Sequence, residues 1–219
     1  MINKDYILRL AEKIGRALTI ILGLREFNKY EEALIYIDDL LLKTVGLTSR
    51  FINSISEETL VKTISPLGVL NMDACLWIAS LLKAEGEIYD ENLENTTESY
   101  YRYHKALYLF LAVVLHEHIT ADADLYVDIE QLLKKLEDYD LPWTTKSKLF
   151  AYYEHIGKYA QAEDTLFDLL EADDNREMVE RGRAFYARLR AKSDTDLQTG
   201  NLARDEVEEG LAQLEGLTS

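Results

Sequence analysis

The stretch HEHITADAD, residues 116–124, brings His116, Glu117, His118, Asp122 and Asp124 close together in the chain. Imidazoles and carboxylates are the usual ligands of zinc, iron and manganese. Their spacing argues against a shared ion. Residues two apart on a helix project about 200° from one another, so His116 and His118 meet at one metal only if the helix ends between them. Helical zinc hydrolases place two histidines four apart with a glutamate between, which is not the pattern here. Histidines close to a helix C-terminus are also favoured simply by the helix dipole. Asp122, Asp124 and Asp128 resemble part of a calcium loop, but the glycine and the terminal glutamate such a loop needs are missing. His116 and His118 are therefore only weak metal candidates, and no cofactor is expected.

Other chemistry finds less support. There is no glycine-rich phosphate loop and no Gly-x-Ser-x-Gly elbow. His104 and His155 have no nucleophile nearby in sequence. The single cysteine, Cys75, lies in the apolar run Ala74-Cys75-Leu76-Trp77-Ile78 and reads as a small buried hydrophobe. Asp38-Asp39 and Asp173-Asp174 read as solvated faces rather than acid–base pairs. An enzyme is not the expected class; the alternative is a small helical metal protein or enzyme using His116 and His118.

Bulk properties narrow the partners. The net charge is −16 and the pI about 4.7, the opposite of the basic footprint that phosphates require. Neither nucleic acid nor an anionic membrane is expected. Asp5, Arg9, Glu12, Lys13 and Arg16 interrupt the first 24 residues, so these do not read as a signal peptide, and a cytoplasmic location is expected. The first 30 residues are locally basic, and their charged face is expected to pack near acidic helices of the same chain.

The elements that must carry these residues are helices. Two prolines and ten glycines among 219 residues are too few for an all-β fold. Apolar residues recur at steps of three and four in ten segments, at about 3–22, 30–45, 56–65, 71–85, 97–117, 122–138, 143–156, 159–172, 175–192 and 201–214. Ser56 and Asn71 are placed to cap helices, and Gly46 and Pro66-Gly68 to end them. ALYLFLAVVL, within 97–117, is apolar all round and predicts a central, surrounded helix. Of the fourteen tyrosines, Tyr100, Tyr101 and Tyr103 point three ways from one helix end, so at least one is a candidate for a partner surface. Residues 86–96, GEIYDENLENT, read as a linker. The expected organisation is one elongated helical domain over 1–219, with a possible division into 1–85 and 97–219.

Residues 157–170, GKYAQAEDTLFDLL, align with residues 28–41, NKYEEALIYIDDLL. Tyr30, Ala33, Ile37, Asp39 and Leu40 match Tyr159, Ala162, Leu166, Asp168 and Leu169. Tyr103, Ala106, Phe110 and Val113 form a fainter third copy. The aromatic opens a helix after a tight turn, and the alanine admits a close neighbour. Leu149, Tyr153, Gly157, Tyr159 and Ala162 resemble the tetratricopeptide repeat, a pair of antiparallel helices. Leu166, Leu169 and Phe150 depart from its pattern, and the copies are unevenly spaced. The resemblance implies an all-α fold without a sheet, an irregular stack of antiparallel pairs totalling about ten helices.

It also implies a function, a protein or peptide interaction module. In this family the inner face of the first helix binds extended peptides. Carried onto 143–156, that face comprises Thr144, Ser147, Ala151, Glu154 and His155. Ser147 and Ala151 stand where some relatives carry a lysine and an asparagine that clamp a C-terminal carboxylate. A neutral or basic segment is accordingly the expected partner, rather than an acidic one. The whole chain, through MINKDYILRLAEKIGRAL, GLREFNKYEEALIYIDDLL and FINSISEE, also resembles a bacterial family of unknown function.

Overall fold

Ser56 and Asn71 cap the helices that follow them, accepting the amides of Thr59 and Ala74. Gly46 ends its helix in the left-handed conformation at φ 79°. The computed structural model describes residues 4–117, 123–172 and 176–216, all of whose regular structure is helical. Among them are α1 (Lys4–Glu26), α2 (Tyr30–Val45), α3 (Ser49–Ser54), α4 (Glu57–Ile64), α5 (Met72–Glu87), α6 (Thr96–Glu117) and α7 (Ala123–Lys135). There follow α8 (Trp143–His155), α9 (Tyr159–Ala172), α10 (Arg176–Arg190), α11 (Asp194–Thr199) and α12 (Arg204–Gly216). The short helices α3 and α11 had no periodic signature, because six residues make less than two turns. Their only local signal was the capping hydroxyl of Thr48 and of Ser193.

Residues 1–140 and 141–219 form two compact units. The sequence placed a possible division at 86–96 instead. Those residues are helical as far as Asn92, through the end of α5 and a π-helical turn at Ile88–Asn92. The acidic side chains that made this stretch look like a linker are engaged. Arg25 binds Glu87, Glu91 and Asn92, and Lys135 binds Asp90 and Glu91. The Arg25 contacts also dock the basic end of α1 on acidic residues of the same unit.

The first unit is built around the pairing of α5 with α6, its most extensive helix contact. The middle of α6 is buried on every side, Tyr108, Phe110, Ala112 and Val114 included. Gly86 sets the closeness of the crossing. A Cβ there would lie 2.7 Å from two ring carbons of Tyr103, inside van der Waals contact. The α1 face that packs on this core is Leu10, Ile14, Ala17 and Ile21.

In the second unit α8 and α9 form a hairpin closed at Gly157, φ 76°. The two aligned segments share this turn. Asn28, opposite Gly157 in the alignment, is also left-handed, at φ 59°. Asn28 and Lys29 donate to Arg25 O and Leu24 O; Gly157 and Lys158 donate to Glu154 O and Tyr153 O. Asparagine tolerates this conformation better than other residues with a Cβ. The aligned pairs Ala33/Ala162 and Ile37/Leu166 are buried in both copies, which diverge only at the far end, where Leu41 is buried in α2 but Leu169, the counterpart of Leu40, in α9. Tyr30 is only half-buried and bonds Asn28, whereas Tyr159 is buried. The third copy, Tyr103, Ala106, Phe110 and Val113, is buried throughout but lies inside α6 and opens no helix. The helix pairs pack in the manner of a tetratricopeptide-like stack. Leu149 and Phe150 are buried beneath them, with Phe150 edge-on to Phe185, so a bulky aromatic fills the position usually given to a small residue.

Ala162 is fully buried at the close approach of α9 to its neighbours. Ala162→Arg is expected to destabilise the protein by more than about 3 kcal/mol in urea denaturation, because neither the bulk nor the charge can be housed. An unchanged midpoint would contradict the packing described.

Candidate functional site

The N-terminal half of α6 reads Tyr100-Tyr101-Arg102-Tyr103-His104-Lys105, and its last four residues are all buried. Buried charge is unfavourable unless each ion finds a partner. Here the partners come from neighbouring elements as well as from α6 itself. Arg102 points to α5: its Nε lies 3.0 Å from Glu85 Oε1, as an ion pair poorly aligned for a hydrogen bond. Its Nη1 donates to the Glu98 carbonyl and carboxylate, and its guanidinium stacks 4.2 Å over Tyr89. Tyr103 points to the π-helical turn and donates to Asp90 at 3.2 Å, beneath Lys135 of α7. His104 and Lys105 point to α4. Lys105 Nζ donates to the Ile55 carbonyl and lies 3.3 Å from Glu57 Oε1, with His104 Nδ1 3.5 Å from the same oxygen.

These surroundings tune the carboxylates in opposite directions. Burial pushes Glu85 up from the ordinary range, and Arg102 and the Ser49 hydroxyl only partly oppose it. Burial also acts on Glu57, but His104, its own backbone amide and the Lys105 charge outweigh it and hold the carboxyl at about 2.

Beside the Glu85–Arg102 pair lies a cavity of about 560 Å3. Its deep end holds Glu85, Arg102 and Ser49, whose hydroxyl donates to the Glu85 carboxylate. Leu34, Tyr89 and Tyr101 supply apolar and aromatic wall, and Asp38, Arg50, Asn53 and Glu98 complete the polar lining. Tyr101 is 54% exposed, and it meets Tyr100 edge-on at 5.4 Å. Tyr100 in turn stacks on Tyr139 at 4.7 Å and on His104 at 5.9 Å. An aromatic strip thus runs from the cavity wall to Tyr139, which is also exposed.

The face expected on α8 is arranged differently from a free groove. Thr144, Ser147, Ala151, Glu154 and His155 are all partly buried. α10 reaches across to two of them. Arg181 donates to the Ser147 hydroxyl and carbonyl, and Arg188 makes a two-pronged pair with Glu154. The Glu154 charge is thereby neutralised, so it lends no local preference for a basic ligand. Tyr153 and Gly157, which set the register of this face, lie in α8 and its turn as expected. A separate groove between α9 and α12 is lined by Glu163, Asp164, Asp168, Glu171, Glu206 and Glu209. His116 is exposed near the end of α6, and His118 lies outside the described residues. No cluster of three metal-ligating side chains occurs among the described residues.

Two outcomes follow from the buried charges. Arg102→Met should destabilise the protein by about 3–5 kcal/mol, since it strands Glu85. Adding Glu85→Gln should recover most of that loss in urea denaturation; equal losses in the single and double variants would show that the two groups are uncoupled. Glu57 has a folded-state pKa below its ordinary 4.5. Its contribution, about 3 kcal/mol, is therefore complete above that value and fades as pH falls towards 2. Glu57→Gln should remove this part of the acid dependence, as read from denaturation midpoints between neutral and acid pH.

Comparison with known proteins yields a family and nothing closer. No curated protein and no solved structure matches the chain. One family description does, over residues 1–219: DUF6483, a family of unknown function. A match along the full length is membership, and the chain belongs to the DUF6483 family.

Proposed function

We propose that this protein is an interaction module, a tetratricopeptide-like helical scaffold that binds a segment of another protein. The observation that carries the reading is the aromatic strip Tyr101–Tyr100–Tyr139 beside the cavity of α2, α3, α5 and α6. Tyrosine and arginine are the residues most enriched at the energetic centres of protein interfaces. Here Tyr89, Tyr101, Arg50 and Arg102 line one opening. The tyrosines are held rigidly by stacking, so little side-chain entropy is lost when a partner covers them.

The repeated turns at Asn28 and Gly157 support the scaffold part of the reading. The cavity face suits binding better than the α8 face, where a ligand must compete with Arg181 for Ser147 and with Arg188 for Glu154. For the same reason Glu154→Lys is expected to lower stability slightly, by about 0.5–1 kcal/mol.

Affinity purification from the native host, with quantitative mass spectrometry, tests the reading. A protein recovered with the native chain should be lost with Tyr101→Ala/Tyr139→Ala, while the melting temperature stays within a few degrees because both side chains are exposed. A partner retained by this double variant, but lost with Ser147→Arg, would transfer the site to α8.

A further inference from the structure

The charges around the cavity specify what it accepts. Three carboxylates line it, Asp38, Glu85 and Glu98, against two guanidinium groups, Arg50 and Arg102. Arg102 is spent: it is buried, ion-paired with Glu85 and bonded to Glu98. Asp38 is half-used. Its Oδ1 accepts the Ser49 amide at 2.6 Å, and Oδ2 has no hydrogen-bond partner among the described residues. Arg50, exposed at the rim, makes no ion pair among them. The lining therefore carries one surplus negative charge, with Asp38 and Glu98 on its half-exposed side.

The remaining lining suits a hydrogen-bond donor with a flat or compact cationic head. Asn53 donates to Ser49, leaving its own side-chain oxygen buried without a partner. That oxygen is sealed beneath the lining, so an incoming donor meets Asp38 and Glu98. The exposed Tyr101 ring offers a π face of the kind that attracts cations. The cavity already holds one such contact, Arg102 over Tyr89.

We propose that this cavity receives the side chain of an arginine or lysine presented by a partner polypeptide, its cationic head reaching Asp38 and Glu98 while its stem lies along Leu34 and Tyr101. The inference rests on the interaction reading above and adds the chemistry of the partner. The molecule's overall charge of −16 draws a basic segment in and makes its association fall with salt. Arg50 opposes the incoming cation, so removing it strengthens binding. An acidic segment would show the reverse dependence on Arg50.

The full chain is titrated with three capped peptides, acetyl-Gly-X-Gly-amide with X arginine, citrulline or glutamate, while methyl and aromatic NMR signals of Leu34 and Tyr101 are followed. Citrulline keeps the shape of arginine without its charge. The arginine peptide should bind in the millimolar range, and citrulline should bind about tenfold more weakly or worse. Asp38→Asn and Tyr101→Ala should weaken the arginine peptide, and Arg50→Ala should tighten it. Equal binding of arginine and citrulline, tighter binding of glutamate, or weaker arginine binding in Arg50→Ala overturns the proposal. Methylguanidinium binding as tightly as the arginine peptide would identify a small cation as the occupant and overturn the polypeptide part. If no peptide moves these signals, the basic side chain is rejected, while the interaction reading is decided separately by the Tyr101→Ala/Tyr139→Ala capture.

Discussion

Three cationic or ionisable side chains are buried within four residues on one helix, and the first unit is arranged to accommodate them. Arg102 points from α6 to α5, whereas His104 and Lys105 both point to α4. Burying such groups unpaired would cost more than the margin by which a domain is stable. Each neighbour therefore brings an acceptor to a defined place: α5 brings Glu85, and α4 with the residue before its cap brings Glu57 and the Ile55 carbonyl. The π-helical turn takes the adjacent Tyr103 through Asp90. Apolar packing alone tolerates sliding between helices of similar shape. Charge pairing towards α5 and α4, with the Tyr103 hydrogen bond on a third side, does not, because a shift that repairs one contact breaks another.

Close approach is the second constraint, and it depends on small residues. Gly86 lets α5 close on Tyr103, and so holds the Asp90 and Lys135 partners within reach of α6. In the second unit Gly210 lets α12 approach Tyr186 and Glu163, which hydrogen-bond one another at 2.6 Å. Burial and the neighbouring carboxylate push the Tyr186 phenol up, while burial pushes Glu163 up as well. The raised phenol keeps its proton and donates a hydrogen bond to Glu163, and that bond in turn opposes the upward push of burial on the carboxyl. Helix spacing and hydrogen bonding are thus set by the same residues.

The same economy shapes the surfaces. An acidic chain would be expected to present unopposed carboxylates, yet many are paired: Glu154 with Arg188, Asp168 with Lys146, Glu87 and Glu91 with Arg25. The exposed pairs contribute little stability individually. They do decide where negative charge remains, at the cavity rim of the first unit and along the α9–α12 groove of the second.

The ten longer helices, their capped ends and the repeated turn were legible in the sequence, because these are local properties. A 3.6-residue period, a Ser56 or Asn71 cap and a glycine or asparagine able to adopt positive φ act within a few residues. The aromatic strip was half-legible: Tyr100 and Tyr101 stood out as neighbours pointing apart, but Tyr139, stacked on Tyr100, had no local mark. Arg102, Lys105 and Glu85 carry no local mark of burial. Only the tertiary structure buried them, and only it committed Ser147 and Glu154 to Arg181 and Arg188. The physical reason is separation along the chain. Glu154 and Arg188 are 34 residues apart, Ser49 and Glu85 36, and Lys105 and Ile55 50. No periodicity, cap or composition links such positions, so the packing of helices alone decides which charges are paired and which face a ligand.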